Sequence, residues 1–255
     1  MSDDKTRAST AICGYDANSI LIRGKNLVTD VMGHYSFTEL MLLQALGDEP
    51  TPLQVKIVDA VMVTIMEHGL VPSAVVTRLT HYGAPESFQG AVAAGLLGVG
   101  DRYAGTASEC GALLERIVAV PEAGRRAKAV EELNRYRTIG RPVPGFGHPI
   151  HQALDPRVGR LLEIVQQAGA EGEHIRAMHL LQDTLREELG KPLVTNISAA
   201  MGAVMAEAGI PSGMMRGVVL TARCAGLVGH LFEEMRRPAA PGMWEAAQTA
   251  VDYEP

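Results

Sequence analysis

Apolar residues recur at helical spacing along most of this chain. Between Val55 and Met66 they fall at Val55, Val58, Val61, Met62, Ile65 and Met66, a single stripe of the helical period, with Gly69 placed to end the helix. Thr51-Pro52 supplies an N-cap and a proline at the first helical position, where a missing N–H costs nothing. Ser36 and Glu39 make an S-x-x-E capping box ahead of LMLLQAL. Further helices are expected over Pro72–Tyr82, Pro85–Leu97, Ala107–Val118, Glu122–Tyr136, Pro156–Gln167, Glu173–Leu189, Ile197–Ala208, Pro211–Met235 and Met243–Ala250. Only Ser19–Arg23 (SILIR) reads as a strand. With no strand–helix alternation and no repeat of roughly 20–50 residues, the predicted class is all-α.

Composition narrows the function rather than the fold. The 255 residues are 47% apolar and 20% charged, ordinary for a globular chain with a sizeable core. Net charge is −6, from 23 basic and 29 acidic residues, which argues against nucleic acid, since phosphate binding needs a basic face. A small anion held by a few arginines stays compatible with that balance. The three scattered cysteines, Cys13, Cys110 and Cys224, imply no disulfide framework and a reducing compartment. The polar start MSDDKTRAST has no apolar signal core, and apolar stretches such as Val58–Met66 are too short to span a bilayer. A cytoplasmic protein without membrane or nucleic-acid partners is expected. The 12 methionines read as adaptable core packing.

One segment breaks the helical pattern. Arg137–Pro156, RTIGRPVPGFGHPIHQALDP, is dense in glycine and proline, and a loop of this length between helices is more often functional than idle. It contains Val143-Pro144-Gly145-Phe146-Gly147-His148 followed by Asp155-Pro156-Arg157. This V-P-G-F-G-H-x6-D-P-R pattern resembles the signature loop of citrate synthases and citryl-CoA lyases. Glu67-His68-Gly69 with Ser73 and Arg78 is similar to the H-G-x3-S-x4-R stretch of that superfamily. GLLGVGDRYAG (Gly95–Gly105) resembles the lyase module of ATP-citrate lyase. Ala222-Arg223-Cys224-Ala225-Gly226-Leu227, with His230 and Glu233-Glu234, resembles the family's late arginine helix. Ile20-Arg23-Gly24 and Phe37-Thr38-Glu39-Leu40 fit as well, so the matches run in order from about Gly14 to the end.

The resemblance implies a citrate synthase-like large helical domain, residues 1–105 and 209–255, and a smaller helical lobe, 106–208, that carries the glycine-rich loop and closes over the site. The length places the chain with the short, lyase-like members. It also implies a homodimer or higher homo-oligomer acting on a carboxylate substrate carried as a coenzyme A thioester, with no metal.

Citryl-CoA cleavage is a retro-aldol. A tertiary hydroxyl loses its proton, the thioester oxygen takes up charge, and the departing enolate is protonated on carbon. By resemblance His148 contacts the hydroxyl or carbonyl oxygen, a task that suits an imidazole. The backbone of Gly145, Phe146 and Gly147 is the expected coenzyme A contact and oxyanion holder. Arg157 and Arg223 are the expected carboxylate clamps, because a guanidinium fork matches a carboxylate, and His68 faces the same carboxylates. Arg78 and Arg237 are weaker candidates. Without the resemblance, His148 is a loop histidine that merely caps the helix at Asp155. The arginines would then be surface or interhelix ion pairs, and His68 a helix C-cap partner. His148-x-x-His151 lacks the company a zinc site needs, and His174 and His179 read as solvated.

Three positions depart from the family pattern. Ser198, in Thr195-Asn196-Ile197-Ser198, stands where the catalytic aspartate belongs. Tyr103 and Val76 occupy places where histidines are expected. A serine hydroxyl is no general acid near neutral pH, so the condensing direction should suffer most. Asp101 and Asp155 are the carboxylates available to substitute. The rival expectation is a non-catalytic acyl-CoA or carboxylate binder, or an enzyme with an altered acyl substrate.

Overall fold

A computed structural model of the chain describes residues 8–101, 105–147, 155–170, 172–190 and 193–254. It divides into two compact units, Met1–Lys56 and Ile57–Pro255.

In the first unit, β1 (Cys13–Tyr15), β2 (Ile20–Ile22) and β3 (Lys25–Asn26) form an antiparallel sheet, with Cys13 opposite Ile22 and Ile22 opposite Lys25. Arg23 (φ 49°) and Gly24 (φ 80°) form the two-residue turn between β2 and β3, where the strand twist demands positive φ. The Arg23 side chain then donates to the Gln44 carbonyl through Nε (3.0 Å), tying the hairpin to the end of α1 (Phe37–Leu46). A single π-helical turn, Leu27–Val31, is capped by Asn26. The capping box at α1 is present: Ser36 accepts the Glu39 N–H while Glu39 accepts the Ser36 N–H. Sequence periodicity finds only the middle strand, because its neighbours are two or three residues long and show no alternation.

The division between units falls within α2 (Pro52–Ile65), whose Thr51 and Gln54 cap each other reciprocally. The second unit then holds α3 (Pro72–Gly83), α4 (Phe88–Leu97), α5 (Thr106–Val118), α6 (Arg125–Thr138), α7 (Pro156–Gln167), α8 (Glu173–Leu189), α9 (Ile197–Glu207), α10 (Ser212–Glu234) and α11 (Ala240–Ala250). These bounds lie within a few residues of those expected from spacing and caps. Residues of α9 are almost all buried, Ala199 to Ala206, and α5, α7 and α8 pack around it. Its small side chains explain the close approach. Helix α10 packs on α3, α4 and α5, and α11 on α3, where Trp244 meets Tyr82 edge-on with ring centroids 5.9 Å apart.

Helix α2 stops at Ile65 and does not run on to Gly69. The Glu67 carboxylate accepts the N–H groups of His68 (2.9 Å) and Gly69 (2.6 Å), offering the backbone a local alternative to the helix. His174 also differs from expectation: its N–H donates to Glu207 at 3.1 Å and its ring lies 3.7 Å from the same carboxylate, so it is half-buried and partnered.

Candidate functional site

The chain Val143–Gly147 crosses the start of α9 and is stitched to it by backbone. The Asn196 N–H donates to the Gly145 carbonyl (2.9 Å), the Gly147 N–H donates to the Val194 carbonyl (2.7 Å), and Phe146 bridges Thr195. Asn196 has a second role through its side chain. Its Oδ1 accepts the Ser198 N–H (2.9 Å), capping α9, while its amide donates to the Gly147 carbonyl (2.8 Å). Gly145 sits at φ 87°, and a Cβ there would lie 2.6 Å from the Ala199 Cβ and 2.9 Å from its Cα. Only glycine lets the strap lie this close to the helix. Ser198 is half-buried in the first turn of α9, beside the contact that Gly145 makes.

Helix α7 is aimed at the same place. Asp155, wholly buried, caps α7 by accepting the Arg157 N–H (3.1 Å) and grips the Arg157 guanidinium through Nε (3.0 Å) and Nη2 (2.8 Å). Its Oδ2 also accepts the Ile197 N–H (3.2 Å), the first residue of α9. Burial works to raise the Asp155 pKa, but the Arg157 side chain and the two N–H donors outweigh it and hold the carboxyl below its ordinary range. Asp155 is thus an ionised orienting group whose acceptor positions are in use. That corrects the expectation of Asp155 as a substitute for the missing acid. Asp101, the other carboxylate considered, is exposed and paired with Arg216 at 2.6 Å.

With Nε and Nη2 engaged, Arg157 turns Nη1 toward His68 Nδ1 at 3.4 Å. His68 lies on the turn after α2, and α10 supports that turn. Gly226 leaves the Met66 carbonyl room to lie against the helix, and Arg223 Nη1 donates to the same carbonyl at 3.4 Å. Burial pulls the Arg223 guanidinium below its usual range, with the Glu67 carboxylate opposing. Arg78 is instead a buried interhelix arginine, held by Glu234 (2.6 Å) and Glu233.

Gly145, Phe146, Gly147, Ser198, Arg157 and His68 are therefore brought into one connected set, and Arg223 borders it through Met66. His148 is next in the chain after Gly147. It lies outside the described residues, as do His151 and Tyr103. Beside the strap, Phe146 lines a largely apolar cavity of about 300 Å³ with Leu133, Tyr136, Leu185 and Leu189, and the exposed Arg137 and Arg141 also line it. Spacing alone did not single out Glu67, Asp155 and Gly226 for these tasks. The signal open to notice was a carboxylate directly before a turn histidine and glycine.

The family model described as "Citrate synthase, C-terminal domain" matches residues 8–240. The structure of citryl-CoA lyase from Hydrogenobacter thermophilus superposes with a TM-score of 0.86 at 26% identity, covering 97% of this chain and 94% of that one. ATP citrate lyase from Methanothrix soehngenii, solved with citrate and coenzyme A, gives 0.76 at 18% identity over 98% of this chain and 42% of that one, a likeness of fold. The citrate synthase of Acidithiobacillus ferridurans is 25% identical over 198 residues, 74% of this chain and 49% of that protein. The chain spans about half the length of the curated relatives it matches.

Proposed function

Because this chain belongs to the citrate synthase family, we propose that it is an enzyme of the citryl-CoA lyase type, cleaving a citryl-CoA thioester to acetyl-CoA and oxaloacetate. One observation carries the choice of branch: the fold superposes on a citryl-CoA lyase with a TM-score of 0.86 at 26% identity, against 0.63 at 18% identity for a citrate synthase from Thermotoga maritima.

In this reading His148 takes the tertiary hydroxyl proton. The bond between the hydroxyl-bearing carbon and the acetyl methylene breaks, and its electron pair passes to the thioester oxygen, leaving oxaloacetate and an enolate. The Gly145 and Phe146 amides of the strap hold that oxygen, the Gly147 N–H being bonded to Val194, and a proton added to carbon completes acetyl-CoA. Arg157 and His68 hold one substrate carboxylate, with Arg223 assigned to another. The cavity beside Phe146 suits the coenzyme A arm, apolar inside with arginines among its lining residues. Ser198 cannot supply the carbon proton, so water does, and turnover is slow. The reading includes a cytoplasmic homo-oligomer. Among the described residues no helix is long and apolar enough to cross a membrane.

A second reading has one specific support. With Ser198 in the acid's place and Asp155 committed to Arg157, the chain fits a non-catalytic binder of the same ligands. The assay that decides mixes protein with citryl-CoA and follows acetyl-CoA and oxaloacetate by mass spectrometry, with His148→Ala beside it. Release that disappears in the variant supports the lyase. Thermal stabilisation by citrate and coenzyme A without release supports the binder.

A further inference from the structure

The turn that carries His68 is held by a line of side chains reaching back through α10 into α3. Glu67 Oε1 accepts the N–H groups of His68 and Gly69. Its Oε2 lies 2.9 Å from His230 Nε2, a close polar contact without hydrogen-bond alignment. On the far side of the ring, His230 Nδ1 accepts the Arg78 Nε–H at 3.0 Å. Arginine offers only donors, so Nδ1 carries no hydrogen and the neutral ring keeps its N–H on Nε2, toward Glu67. Arg78 is 2% exposed and anchored by Glu234 Oε2 and Glu233. The other Glu234 oxygen accepts the N–H groups of Ala239 (2.9 Å) and Ala240 (2.8 Å), where α11 begins. The inner end of this line is rigid and buried. The outer end, Glu67, is half exposed, where a polar contact adds little stability.

We propose that Glu67 and His230, backed by Arg78, are positioning residues that set the angle at which His68 meets Arg157 and a substrate carboxylate. This rests on the assignment of His68 to substrate binding given above. A local carboxylate that merely capped the turn would need no partner on α10. Here its second oxygen is turned to a histidine whose own orientation is fixed from behind.

The test compares His230→Leu, which removes both ring nitrogens, with His230→Gln, which can accept from Arg78 and donate to Glu67. Three quantities are read: the His68 ring signals by NMR in the ligand-free protein at fixed pH, KM and kcat for citryl-CoA, and the melting temperature. The expected result is that His230→Leu moves the His68 signals and raises KM roughly tenfold with a smaller change in kcat, while His230→Gln restores both. Unmoved His68 signals in His230→Leu overturn the proposal. So does equal impairment of both variants in step with melting temperature, which marks a packing role. If wild type turns over no citryl-CoA, the lyase reading fails while the His68 signals still decide positioning. Should His230→Leu not fold, Glu67→Gln replaces it, with the same shift expected and its absence again decisive.

Discussion

Asp155 and Ile197 lie 42 residues apart, yet the Asp155 Oδ2 accepts the Ile197 N–H at 3.2 Å. Through this bond one buried carboxylate starts α9, caps α7 and aims Arg157. Asp155→Asn keeps the shape but sets an amide donor against the donors of Arg157. Breaking one side of a buried charge pair costs about 3 kcal/mol, and urea unfolding should show a loss of that order. A loss near zero would mean that the junction is held by packing alone.

The same carboxylate sets a pH dependence. Its folded pKa is depressed below the ordinary 3.8, so its stabilisation is fully present above that value and drains away as pH falls through the lower folded one. The stability gap between wild type and Asp155→Asn should be full near neutrality and shrink below about pH 4. Paired urea titrations at the two extremes check this, and a gap independent of pH would contradict it.

Gly145 and Gly147 have similar dihedrals, φ 87° and 89°, but different surroundings. A Cβ at Gly145 runs into Ala199, including its backbone, whereas one at Gly147 meets nothing within 4 Å. Gly147→Ala should cost about 1–2 kcal/mol, the left-handed penalty alone. Gly145→Ala should add a clash, for a total of about 2–5 kcal/mol. Equal losses would show that the strap can lift from α9 freely.

Gly226→Ala tests the support beneath His68. The added methyl would sit 2.0 Å from the Met66 carbonyl oxygen, so the turn must move off α10. A cost of about 1–3 kcal/mol and a raised KM are expected, with Ala225→Gly as a control on the neighbouring face.

Ser198→Asp restores a carboxylate to the first turn of α9. General acids contribute about 10²–10⁴-fold, so citryl-CoA cleavage should rise by at least the lower figure. An unchanged rate would count against placing the reacting carbon near Ser198.

Thiol labelling checks the core independently. Cys110 is fully buried and its pKa is pushed up to about 12 by desolvation, while Cys13 is exposed on β1. In mildly alkaline solution Cys13 should react at once and Cys110 only on unfolding.

The helices were legible in the order of residues, because stripe, cap and breaker are local information. Pro156–Gln167 and Glu173–Leu189 were legible to the residue, and the motif around Gly145–Gly147 marked the loop that α9 receives. That order was silent on the short strands, which have no room for a period, and on the early stop of α2, where Glu67 competes for backbone N–H groups. What each charged residue does followed from long-range packing. Arg157 and Arg78 look alike in sequence, yet one turns a nitrogen toward His68 and the other is locked between two glutamates. Asp155, a possible acid by sequence, is committed as an orienting base. Roles of this kind depend on which partners long-range packing brings within about 3 Å, and helical spacing carries no record of that distance.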